Sequence, residues 1–178
     1  MTIYLIRHGK TLANERRLYC GSTDLGLSER GREELNGIHF DISHVRFRTS
    51  GMKRANETME LLFPGVPYEQ DPGFREVDFG VFEMQSYEDL KDRSDYQIWL
   101  IGDNERNIPP GGESGEQMTA RVLSAYRGLT EDTCLVTHGG VIAAIMASLF
   151  PAENKHRYQW QPQNGHGYRI TESGYEPI

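Results

Sequence analysis

Two short stretches, "IYLIRHGKT" at 3–11 and "CLVTHGGVI" at 134–142, share one plan: an apolar run followed at once by His-Gly. Of the six histidines only His8 and His138 have this setting; His39, His44, His156 and His166 do not. An imidazole can serve as nucleophile or as proton carrier near neutral pH. A glycine beside it removes a Cβ where a ligand would approach the backbone, and Gly139-Gly140 also opens a run whose free N–H groups favour an anion. Arg7 beside His8, and Arg54 at the start of the run after "RTSGMK", add guanidinium forks that match phosphate oxygens. If both His-Gly pairs sit at the carboxyl ends of neighbouring strands, His8, His138, Arg7 and Arg54 meet in one crevice around a phosphoryl group.

The elements that must position them are legible. "TIYLIR" (2–7) and "TCLVTH" (133–138) read as buried strands, and "HVRFRTS" (44–50) alternates Val45, Phe47 and Thr49 against Arg46 and Arg48 as a half-buried strand does. Helices are expected over 27–38 with Ser28 as cap, over 53–63, around 86–92 and 94–101, from Ser114 with Gln117 as a capping box to about Gly128, and over 140–150. "VPYEQD" reads as a short strand, 74–83 as a Gly-interrupted loop or extended segment, 107–114 as a loop, and "YQWQ" (158–161) and "GYRITE" (167–172) as closing strands. Strands alternating with helices predict a three-layer α/β/α sandwich with a mostly parallel central sheet, which binds ligands beyond its strands' carboxyl ends.

Composition sets the outer bounds. A chain of 178 residues with 37% hydrophobic and 25% charged residues is expected to fold as one domain spanning 1–178, without a metal or disulfide to hold it. A net charge of -7 and a pI near 5.4 disfavour nucleic acid and anionic membrane surfaces as partners. Two isolated cysteines, no signal-peptide pattern before Arg7, and a longest apolar stretch of only "VIAAIMASLF" point to a cytoplasmic protein without a membrane anchor. No oligomeric state is implied.

The blocks "LIRHGKTLAN", "CGSTDLGLSERGREE", "RTSGMKRANETMELL", "FREVDFGVFE", "PPGGES" and "LVTHGGVI" follow one another as in the histidine phosphatase superfamily, in its phosphoglycerate mutase-like branch. The resemblance covers residues 3 to about 150 and is strongest to α-ribazole phosphatase-type members of the cobalamin pathway and to small broad-range phosphatases. It implies that His8 is the nucleophile that becomes phosphohistidine, that Glu76 gives the leaving group its proton, and that Arg7, Arg54 and His138 line the phosphate pocket. Asn14 and Gly139 are implied further substrate contacts, and a small phosphorylated metabolite is the implied partner. The chain departs from the family in having Ser50-Gly51-Met52 for Ser-Pro-Leu, Phe82-Glu83-Met84 for Trp-Glu-Gly, and Cys20 in place of a glutamine.

Simple chemistry fits those roles. Attack by His8 needs a neutral ring, which the positive Arg7 beside it favours by like-charge repulsion. Glu76 sits among Phe74, Val77 and Phe79, a setting suited to a general acid; by spacing alone Asp78 and Glu83 are rivals for that role. Neither a metal nor another cofactor is expected, because the arginines supply positive charge. Two other readings are a cofactor-dependent phosphoglycerate mutase, disfavoured by the short stretch between Glu76 and Gly111, and a non-catalytic anion-binding member, disfavoured by the presence of both His8 and Glu76. Tyr87, Tyr96, Trp99 and Ile101 form either an apolar wall for an aromatic or nucleoside-like leaving group, or helix core.

Overall fold

The computed structural model describes residues 1–103 and 105–178; Asn104, within the 81–111 region from which contacts to the leaving group are expected, lies outside the described residues. Six strands form one mixed sheet: β1 (Ile3–Arg7), β2 (Arg46–Thr49), β3 (Glu69–Gln70), β4 (Thr133–Thr137), β5 (Gly167–Thr171) and β6 (Gly174–Pro177), in the order β3-β2-β4-β1-β5-β6. The first four of that order run parallel, whereas β5 is antiparallel to β1 and β6 is antiparallel to β5. The expected sandwich with a mainly parallel sheet is the fold observed.

Seven α-helices accompany the sheet among the described residues: α1 (Leu12–Arg16), α2 (Glu29–Leu35), α3 (Lys53–Leu62), α4 (Tyr87–Leu90), α5 (Ser94–Leu100), α6 (Gly115–Arg127) and α7 (Gly139–Leu149). The alternation of side chains along the strands divides the core. Ile3, Leu5 and Leu135 pack with Met118, Val122 and the apolar residues of α7 on one face, while Ile6, Phe47, Cys134 and Val136 pack with Ala55 and Met59 of α3 on the other. The first eight residues of α7 are all buried, which suits a helix apolar around its whole circumference.

Expected caps form. Ser28 accepts from the Gly31 N–H at 3.0 Å, and Ser114 and Gln117 exchange their two hydrogen bonds at 3.1 and 2.9 Å. Each such cap is worth about 1 kcal/mol. The segment 74–83 is neither extended nor featureless: 3-10 turns at Pro72–Phe74 and Gly80–Phe82 fold it back on itself.

One expected strand is corrected. "YQWQ" lies largely in a 3-10 turn, Arg157–Trp160, because Trp160 is drawn into the core against Phe150, Tyr168 and Tyr175 and because Gln159 and His156 form a capping box. Its place at the sheet edge is taken by β6. No helix among the described residues is long and apolar enough to cross a membrane.

Candidate active site

Strand register brings the two His-Gly pairs together. Arg7 lies opposite Thr137 across the β1–β4 ladder, so His8 and His138 each follow one step beyond, and the His8 N–H donates to the Thr137 carbonyl at 2.9 Å. The rings meet edge-on with centroids 5.2 Å apart, and both are buried. The His8 Nδ1 is 2.7 Å from the Gly9 carbonyl, which can only accept; Nδ1 therefore carries the proton and Nε2 keeps its lone pair. In His138 the order is reversed: Nδ1 accepts from Arg54 Nε at 3.2 Å, so Nε2 carries the proton and donates to Ser50 Oγ at 2.8 Å.

Both imidazoles are held well below the usual histidine range. Burial is the main cause; for His8 the charge of Arg54 comes next and Arg7 contributes less, and for His138 Arg54 again follows burial. The neutral His8 ring expected from Arg7 alone is thus owed first to removal from water and then to the more distant arginine in sequence.

The guanidinium groups are anchored through backbone carbonyls. Arg54, 1% exposed in the first turn of α3, donates through Nη1 to the Thr23 carbonyl at 2.9 Å and through Nη2 to that of Gly21 at 2.8 Å. Each terminal nitrogen has a second N–H to offer. Arg7 donates through Nη1 to the Pro162 carbonyl at 2.8 Å, and its Nε–H is buried without a hydrogen-bond partner. Such an orphaned donor costs about 1–3 kcal/mol until an acceptor reaches it, and an anion's oxygen is a fitting one. Gly139 lies directly beneath: a Cβ there would sit 3.2 Å from the Arg7 Cζ and Nε.

Glu76 is tied to the same helix start. Its Oε2 accepts from the Gly140 N–H at 2.9 Å and its Oε1 from the Val77 N–H at 3.0 Å; a Cβ on Gly140 would collide with this carboxylate. Glu76 stands on the shared wall of two cavities, of about 530 and 320 Å³. The smaller is faced by Tyr19, Phe79, Trp99 and Tyr158, with Arg157 and Gln161 at hand. Arg157 pairs with Glu105, which lines the same cavity.

The two rival carboxylates are otherwise engaged. Asp78 Oδ1 accepts from Ser22 Oγ and from the Gly80 N–H, both at 2.8 Å, and Glu83 is wrapped by donors from the loop at 21–23. Asn14 spends its side-chain oxygen on the Thr11 N–H and hydroxyl at the start of α1, so its amide nitrogen is what it can offer a ligand. Cys20 donates weakly to the Thr23 carbonyl at 3.6 Å, and burial pushes its thiol up, which suits an inert loop cysteine.

Of the four side chains expected either to wall the leaving group or to form helix core, Trp99 alone lines one of the two cavities beside Glu76. Tyr96, 1% exposed, belongs to the core with Phe82 and Leu90 and bonds the Tyr19 hydroxyl at 2.6 Å, while Tyr87 and Ile101 are 57% and 69% exposed on the surface. The sequence reading missed Ser50, the carbonyls of Gly21 and Thr23, and Tyr19 and Tyr158. It also missed Asn164, whose amide donates to the His8 carbonyl at 2.8 Å. Ser50 lay within a quoted motif; the carbonyl contacts leave no trace in side-chain type.

Residues 3–177 match the histidine phosphatase superfamily (branch 1), and the chain belongs to that family and is thereby an enzyme of the phosphatase class. Among curated proteins it is 32% identical over 162 residues to the adenosylcobalamin/alpha-ribazole phosphatase of Salmonella typhimurium, a match over 84% of this chain and 79% of that one. It is also 35% identical over 153 residues to the 6-phosphofructo-2-kinase/fructose-2,6-bisphosphatase of Gallus gallus, covering 82% of this chain and 32% of that protein. Among solved structures, a phosphoglycerate mutase from Thermus thermophilus superimposes with a TM-score of 0.79 at 28% identity, over 100% of this chain and 96% of that one.

Proposed function

We propose that the chain is a single catalytic unit over residues 1–178 that hydrolyses phosphate monoesters without a metal, through a phosphohistidine at His8. The observation that carries this reading is the state of His8: a neutral, buried ring with Nδ1–H fixed on the Gly9 carbonyl and its Nε2 lone pair free beside two guanidinium groups.

In the first step His8 Nε2 attacks phosphorus in line, the P–O ester bond breaks, and Glu76 passes its proton to the departing alkoxide. The charge on the equatorial oxygens is met by the orphaned Nε–H of Arg7, the spare N–H groups of Arg54, the Asn14 amide and the His138 Nε2–H, which exchanges Ser50 for a phosphoryl oxygen. Gly139 lets the phosphoryl group come close to Arg7. In the second step Glu76, now a carboxylate, takes a proton from water as the water oxygen bonds to phosphorus and the P–N bond opens. His8 is then neutral again, Glu76 is reprotonated, and inorganic phosphate leaves.

The aromatic cavity beside Glu76 supports an aromatic or nucleoside-like leaving group, as in α-ribazole 5'-phosphate, over a small sugar phosphate. Transfer of phosphate between the two ends of phosphoglycerate is expected to be negligible. The test is hydrolysis of p-nitrophenyl phosphate in EDTA by the wild type and by His8→Ala, followed by a substrate panel. Turnover is expected to persist in EDTA and to fall by ~10⁴-fold or more in the variant. Turnover indifferent to His8→Ala, or a panel led by small sugar phosphates, would overturn the mechanism or the substrate class respectively.

A further inference from the structure

Glu83, at the end of the second 3-10 turn, gathers hydrogen bonds from five donors. Its Oε1 accepts from the N–H groups of Gly21 at 2.9 Å, Ser22 at 2.9 Å and Phe79 at 3.0 Å. Its Oε2 accepts from the Gly21 N–H at 3.1 Å, the Thr23 N–H at 3.2 Å and the Thr23 hydroxyl at 2.6 Å. Three successive backbone N–H groups thus point at one carboxylate. The carbonyls of the first and third of these residues, Gly21 and Thr23, are the two that hold the Arg54 guanidinium. The loop is also pressed onto its neighbour, since a Cβ on Gly21 would overlap the Val77 carbonyl.

Arg54 therefore has three anchors, His138 and two carbonyls, and both carbonyls belong to a loop that Glu83 fixes. The Phe79 N–H ties the segment bearing Glu76 to the same carboxylate. We propose that Glu83 is a positioning residue that aims Arg54 at the phosphoryl group and sets its register with Glu76, and that it is not a second acid. This rests on the reading of the site as a phosphohistidine phosphatase. A carboxylate accepts on both oxygens; an amide in its place turns an NH₂ group toward donors it cannot satisfy.

The experiment compares kcat/KM for p-nitrophenyl phosphate, whose leaving group needs no proton, with that for glycerol 2-phosphate, whose alkoxide does. Glu83→Gln is expected to lower both by the same factor, roughly 10- to 10²-fold, with the limbs of the pH profile unmoved. In an Arg54→Lys background the same change is expected to cost less than about threefold, because coupled residues do not lose their contribution twice. Loss confined to glycerol 2-phosphate would make Glu83 an acid and overturn the proposal, as would undiminished activity on both esters or a full penalty in the Arg54→Lys background. If Glu83→Gln does not fold, Thr23→Val carries the test: it removes the hydroxyl bond to Oε2, and equal several-fold losses on both esters are expected, whereas unchanged rates would overturn the proposal. His8→Ala in the same assay reports separately on the reading of the site, whose failure appears as turnover indifferent to that change.

Discussion

The two ends of the candidate site are built differently. At the phosphoryl end His8, His138, Ser50 and Arg54 are all buried, and they sit on strand ends or in the first turn of a regular helix. At the leaving-group end Trp99 lies on a seven-residue helix, Tyr158 in a 3-10 turn and Phe79 just before another, and Tyr158 is 59% exposed. The first end is a network of directed hydrogen bonds with little slack, and the second is an apolar wall that contacts ligands by area. Directed networks fail when one member is lost, whereas walls lose affinity by degrees. On the proposed function the sheet holds the reaction and the loops choose the ester, a division common to enzymes that carry sites on a rigid scaffold.

Substitutions on either side sharpen this contrast. Glu76, on the boundary, should separate the two ends most sharply: Glu76→Gln is expected to lower kcat/KM for glycerol 2-phosphate by ~10²- to 10⁴-fold while largely sparing p-nitrophenyl phosphate. Equal losses on both would remove Glu76 from the acid role. Trp99→Ala should cost about 1–3 kcal/mol in kcat/KM for aromatic or nucleoside monoesters and leave glycerol 2-phosphate unchanged, as loss of a stacking face does. A uniform loss across the panel would mean that the wall supports the fold and not the ester.

The smallest effect concerns stability. His8 and His138 are held neutral in the folded state, while in the unfolded chain they titrate near 6.5. Below pH 6.5 the unfolded state takes up protons that the folded state refuses, so stability falls as pH falls, by up to about 1.4 kcal/mol per pH unit for each ring. The other four histidines are exposed. Urea midpoints measured at pH 7, 6.5, 6 and 5.5 should decline along that slope, and a flat response would mean that the rings take up protons inside the fold.

Much of the phosphoryl end was legible because its signals are local. An apolar run ending in His-Gly, used twice, needs only parallel register to bring His8 and His138 together, and Val45, Phe47 and Thr49 announced the strand between them and α3. The hydrogen bonds of Glu83 were not legible, because most of its partners are backbone N–H groups about 60 positions earlier and backbone donors look alike at every residue. "YQWQ" misled because a strand and a 3-10 turn can bury a tryptophan equally well, and packing against Phe150 and Tyr175 decided between them. Tyr87 and Ile101 misled for the opposite reason: large apolar side chains on short helices need not face inward.

The strand order has a bearing on how the protein is made. Within the sheet β1 pairs only with β4 and β5, so its ladder has no partner before Thr133. At translation rates of about 5–20 residues per second that apolar strand waits on the order of ten seconds for its neighbours. A nascent chain released before β4 has emerged holds His8 with neither His138 nor the Thr137 carbonyl beside it. Such a fragment is expected to be inactive and to present an exposed edge for aggregation. Activity is expected only late in synthesis, after the second His-Gly pair and the following segment that carries Pro162, Asn164 and β5 have both emerged.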